Sequence, residues 1–283
     1  MDTKNLTIRE QIVKTVVKSG NGGAVWVPKN WLGQEVVIIL PQKPKLNLKE
    51  KIIHLLEPYL KDIISVFIYG SYARHEQTKE SDIDVMVITN KEIKINIKEP
   101  KLELNAFELD KFKKAIEIYP VMYYQVVQEA EPLINIHVLE ELKNIKINTE
   151  NFKGYINETK EHIKSNKEFL ELDKLGSIYV KSYSVLYSTM LRLRGIFIIK
   201  CLLNKEKFSN RDFRKWLINQ EITDSEFEQS YAAYRAIRDN IKIKNTKIKI
   251  SAAEKLLNIL TNELNLIEDK LYGKQKKEAS KRN

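Results

Sequence analysis

SVFIYGSYARHEQTKESDIDVMVIT, residues 65–89, decides how the rest of the chain is read. The apolar run Val66-Phe67-Ile68-Tyr69 stops at Gly70-Ser71. A short polar segment follows, and Ser81-Asp82-Ile83-Asp84 opens a second apolar run, Val85-Met86-Val87-Ile88. The pattern predicts a strand, a tight turn with one helical turn, a loop and a second strand. Residues two apart in a strand project to one face, so Asp82 and Asp84 point together while Ile83 and Val85 enter a core. Carboxylates that close raise each other's pKa, an arrangement that makes sense around a cation. Oxygen-only ligation suits a hard ion such as magnesium, usually held by one or two carboxylates plus substrate phosphates. Gly70 at the strand end lets backbone N–H groups approach an anion, and the Ser71 hydroxyl can donate as well. The two halves together point to a nucleoside triphosphate with its metal. A solvated strand end and an ordinary Gly-Ser turn account for each half taken alone.

The chain has 283 residues, 43% hydrophobic and 30% charged, enough for two domains with cores of their own. No apolar run is long enough to cross a bilayer, and the polar start MDTKNLTIREQIVK lacks the apolar stretch of a signal peptide. A cytoplasmic protein with no membrane partner is the expectation. One cysteine, Cys201, and four scattered histidines argue against a disulfide framework or a zinc site. The net charge of +10 favours polyanions such as triphosphates, RNA or DNA, although lysine is spread over the whole chain.

Gly70-Ser71, Arg74 and Ser81-Asp82-Ile83-Asp84-Val85 resemble the GS…R…SDIDV signature of the DNA polymerase β-like nucleotidyltransferase superfamily. The minimal and kanamycin nucleotidyltransferase types are the nearest in pattern, and the likeness is strong over residues 50–140. It implies an α/β (α+β) nucleotidyltransferase domain with a mixed sheet. It also implies magnesium-dependent transfer of a nucleoside monophosphate, AMP from ATP in the first instance, to an acceptor hydroxyl. The acceptor is left open between a protein, an RNA end and a small molecule. On this resemblance Gly70, Ser71, Arg74 and Ser81 bind the nucleotide, and Asp82 and Asp84 hold two magnesium ions. A third acid of the superfamily stands on an adjacent strand; Glu103, in KLELNAF at residues 101–107, matches that place as a catalytic and metal-binding residue. An ordinary exposed strand glutamate is the other reading of Glu103. Some members of the minimal type act as antitoxins toward a HEPN ribonuclease partner, so the resemblance extends to a toxin–antitoxin role.

The flanks read as separate units. Residues 12–18, 24–28 and 35–40 are expected as strands, with a glycine turn at 19–23 and a one-turn link at 29–33. Their order resembles the swapped-hairpin AbrB-type regulators, which implies a homodimer through residues 1–41. It also makes Arg9, Lys14, Lys18 and Lys29 candidates for DNA contact. The catalytic domain is expected over residues 46–142 and a helical bundle over 150–273, followed by a basic, unstructured tail at 274–283. Apolar stripes and the near absence of glycine and proline predict helices at 151–172, 177–203, 210–219, 224–241 and 251–271, with Ser209 and Ser251 as N-caps. The bundle resembles HEPN-type and kanamycin-nucleotidyltransferase C-terminal domains. Arg235 and Arg238 lack the histidine that a HEPN ribonuclease motif needs, so no nuclease is expected. The alternative function is a dimeric DNA-binding regulator with a nucleotide-sensing or inactive nucleotidyltransferase fold.

Overall fold

The computed structural model describes residues 10, 12, 14–38, 47–242 and 247–279. The chain divides into two compact units, Met1–Leu46 and Asn47–Asn283. In the first, β1 (Val17–Ser19) and β2 (Gly22–Ala24) form an antiparallel hairpin, and a 3-10 turn follows at Lys29–Trp31. Gly20 supplies the left-handed backbone of the hairpin turn, with φ +56°. The strands are shorter than expected, and residues 35–38 are not a strand; residues 39 and 40 lie outside the described residues. Among the described residues the ribbon has two strands and no third beside it, and a two-stranded hairpin is marginal in water, so little holds the flanking residues extended. Trp26 and Leu32 accordingly stand 73% exposed and Ile38 71%.

The second unit opens with α1 (Leu48–Leu56). Asn47 caps it reciprocally: its side chain accepts from the Glu50 N–H at 3.0 Å, and its own N–H donates to Glu50 at 2.9 Å. Pro58 cannot continue an α-helix, and a 3-10 segment, Glu57–Asp62, leads into β3 (Ile63–Tyr69). The single turn α2 (Gly70–Ala73) follows, then β4 (Ile83–Thr89), β5 (Leu102–Glu108), α3 (Leu109–Ile118), α4 (Pro120–Glu129), β6 (Glu131–Ile134) and α5 (Ile136–Lys143). The sheet order is β5-β4-β3-β6. β3 is antiparallel to both β4 and β6, whereas β4 and β5 run parallel, so the sheet is mixed.

Continuous apolar runs in β3 and β4 mean burial on both faces. Val66, Ile68, Val85 and Val87 pack with Ile52 and Leu56 of α1. Phe67, Met86 and Ile88 face the other way, onto Phe112, Ile116 and Val127 of α3 and α4 and Leu139 and Leu142 of α5. Asp84, two residues before Met86, therefore opens on the α3/α4 side of the sheet.

The remainder is helical: α6 (Lys153–Lys174), α7 (Tyr183–Asn204), α8 (Asn210–Ile218), α9 (Asp224–Arg238) and α10 (Ile250–Ala279). α7 packs on α6, α9 and α10 around Leu186, Met190, Leu193 and Ile196. Gly195 lets α6 approach closely, since a methyl group there would lie 1.7 Å from the Tyr155 hydroxyl. Ser209 caps α8, its hydroxyl accepting from the Asp212 N–H at 3.0 Å. Ser251 is not a cap, because α10 already starts at Ile250. Within the expected unstructured tail at 274–283, the α10 backbone continues to Ala279, through Gln275, Lys276, Lys277 and Glu278, all good helix formers, and residues 280–283 lie outside the described residues. Among the described residues no helix is long and apolar enough to cross a membrane.

Candidate active site

The site is assembled at one end of the central strands. Asp84 pairs across the antiparallel ladder with Tyr69 and across the parallel ladder with Glu103. The register thus puts Glu103 beside Asp84, as expected. Asp82 stands exposed just before β4 begins. Gly70 follows Tyr69 in the left-handed region, with φ +72°. A methyl group on Gly70 would lie 2.1 Å from Asp84 Oδ2, so the Asp84 carboxylate rests directly against the glycine backbone. Only glycine meets both demands.

The electrostatics follow from this crowding. The Asp84 carboxyl is pushed up to about 6, first by burial and then by the negative charges of Glu103 and Asp82. The Tyr69 phenol is pushed up to about 12, mainly by burial and next by Asp84. Its hydroxyl accepts from Asn105 Nδ2 at 3.0 Å, and the same amide reaches Glu103 Oε1 at 3.4 Å. Tyr69 and Asn105 were not anticipated. Alternation along β5 places Asn105 on the face of Glu103, but only the strand register brings Tyr69 to it.

The other expected residues divide. Among the described residues the Ser71 hydroxyl has no hydrogen-bond partner, which leaves it free for a ligand. Ser81 instead closes a turn: its hydroxyl accepts from the Thr78 N–H at 2.9 Å. Arg74 is engaged internally. Its guanidinium donates to Glu129 at 2.8 and 2.7 Å and to Glu76 at 2.9 Å, and lies over the Phe208 ring. The Gly70 N–H also donates to Glu129, at 2.8 Å. That donor, expected to meet a phosphate, therefore meets a buried carboxylate at the end of α4. Nothing local in VMYYQVVQEA marks Glu129; its role comes from packing α4 against the turn after β3.

Magnesium would draw on Asp82, Asp84 and Glu103. Among the described residues no three acidic, histidine or cysteine side chains stand close enough to hold one ion together. The expected triad of Asp82, Asp84 and Glu103 is thus not a preformed three-ligand centre. Magnesium needs only one or two carboxylates when phosphates complete its shell. Asp84 is pushed up in pKa by burial and then by Glu103 and Asp82, an environment that a cation would relieve. The residues fit.

A separate groove of about 300 Å³ lies between α6 and α7, lined by Phe169, Tyr187, Leu191 and Arg192 among others, and contains none of these acids.

A mixed sheet with paired acids opening its second strand, a glycine turn closing its first, and a helical region behind define a nucleotidyltransferase fold. Residues 50–169 match the protein family described as Polymerase beta, Nucleotidyltransferase. Among solved structures, spectinomycin adenyltransferase AAD(9) from Enterococcus faecialis, solved with ATP and spectinomycin, is similar at 14% identity and a TM-score of 0.43, over 76% of this chain and 97% of that chain. No curated protein matches the chain significantly.

Proposed function

We propose that the chain is a magnesium-dependent nucleotidyltransferase that transfers a nucleoside monophosphate, AMP from ATP, to an acceptor hydroxyl. One observation carries the reading: Asp84 lies against the Gly70 turn with Glu103 in register beside it and Asp82 at the strand entrance. Asp84 and Asp82 would hold magnesium, which supplies charge to the triphosphate and the attacking oxygen. The free Ser71 hydroxyl would donate to a phosphate. An acceptor oxygen forms a bond to the α-phosphorus, the bond to the pyrophosphate oxygen breaks, and Glu103 takes the acceptor proton. Chemistry of this kind asks mainly for positioning and charge, which suits a site of few side chains.

The test uses the full chain with labelled ATP, GTP, CTP and UTP in magnesium, and cell extract as the acceptor source. Label should move to an acceptor with the wild type and not with Asp82→Ala/Asp84→Ala. No binding and no transfer of any nucleotide would sink the reading.

We further infer that Met1–Leu46 pairs with a second copy. Its apolar residues Trp26, Leu32, Val37 and Ile38 are each more than 60% exposed, which a unit this small corrects by association. The AbrB-like, HEPN-like, antitoxin and DNA-binding readings rest on sequence resemblance alone.

A further inference from the structure

Glu76 occupies the junction between the nucleotidyltransferase sheet and the helices. It accepts from the Arg74 Nε at 2.9 Å on one side. On the other, its carboxylate accepts from the Asn210 N–H at 2.9 Å and from the Asn210 side-chain amide at 2.8 Å. Asn210 is in turn held by Arg194 of α7 at 2.6 Å and by the Tyr231 hydroxyl of α9 at 3.2 Å. Arg74 lies over Phe208 at 5.5 Å, and Arg194 over the same ring at 4.9 Å.

The chain of contacts continues inward. Arg74 holds Glu129, Glu129 accepts the Gly70 N–H, and Gly70 abuts the Asp84 carboxylate. The side chains of Arg74, Glu76 and Glu129 are 14%, 19% and 5% exposed, so these charge-assisted bonds are shielded from water. A buried carboxylate that loses its partner is costly to leave unpaired, so each member depends on the next.

We propose that Glu76 is a positioning residue through which the docked helical region sets the Gly70 turn and, with it, the place of Asp84. The network does not contact substrate. It makes the nucleotide turn conditional on helices more than a hundred residues away in sequence. The functional consequence rests on the proposed transferase reading; the mechanical coupling does not.

Hydrogen exchange on the full chain without nucleotide tests the coupling. Glu76→Ala and Asn210→Ala should each speed exchange of the amides at 70–74 by about tenfold or more, the factor expected when one shielded hydrogen bond is lost. A role confined to capping α8 would raise exchange at 210–214 alone, and that result overturns the proposal. Glu76→Gln, which keeps the shape and an acceptor oxygen, should give intermediate exchange and guards against an alanine variant that does not fold. Magnesium–ATP binding, measured on the same proteins, should weaken in the order wild type, Glu76→Gln, Glu76→Ala. If the wild type binds no nucleotide, the transferase reading fails while the exchange result still decides the coupling. If the wild type binds and every variant binds equally well, the proposal fails and the transferase reading stands.

Discussion

At the residue scale, Asp84 and Gly70 form one unit. The two were legible as motifs because Asp-x-Asp and Gly-Ser are local patterns. Their contact was not, because it depends on the register of β3 against β4. Gly70→Ala adds a methyl group at 2.1 Å from the carboxylate and places alanine at positive φ, so it should cost about 1–3 kcal/mol in a denaturant melt. Asp84 gives a prediction with a sign. Its folded-state value of about 6 lies above the usual 3.8, so the folded chain holds the proton more tightly than the unfolded chain. Ionised Asp84 therefore destabilises the free protein, a penalty that grows from about pH 4 and is complete above about pH 6. Asp84→Asn should raise the Tm at about pH 8 and change it little at about pH 4. On the proposed function, the same variant should lose nucleotidyl transfer by more than the roughly 10–100-fold that removing an outer partner of a metal ligand costs. A Tm unchanged at the higher pH would show that Asp84 is not destabilised by its surroundings.

At the element scale, caps and close helix contacts set the helical region. The helices α6, α7, α8, α9 and α10 were readable from long segments nearly free of glycine and proline and from apolar repeats such as Leu186, Met190 and Leu193. The reason for Gly195 was not readable, since its neighbour Tyr155 comes from another helix. Gly195→Ala should lower stability by about 1–3 kcal/mol through overpacking against Tyr155, with Tyr155→Leu relieving part of that loss in a double-mutant cycle. Thr223 and Glu226 cap the start of α9 reciprocally, at 3.2 and 2.9 Å. Thr223→Ala should therefore cost about 1 kcal/mol, read from the shift in denaturation midpoint at constant slope.

At the scale of the whole molecule, the chain divides into two compact units. Among the described residues, the acidic site and the large buried clusters all lie in residues 47–283. A chain lacking residues 1–46 should keep its fold and, on the proposed function, bind magnesium–ATP as the full chain does. Light scattering should find the full chain at twice its monomer mass and the shortened chain at its own monomer mass. A monomer mass for the full chain would end the pairing proposal. The amino-acid order alone determined the strand–turn–strand core, the acidic pair Asp82 and Asp84, and the succession of sheet and helices, because these follow from short-range periodicity and turn chemistry. Tertiary structure alone decided that Arg74 serves Glu129 and Glu76, that Ser81 closes a turn, and that Glu129 holds the Gly70 N–H. Those partners are set by packing between segments far apart in the chain, and a charged side chain's role is fixed by which opposite charge the fold buries beside it.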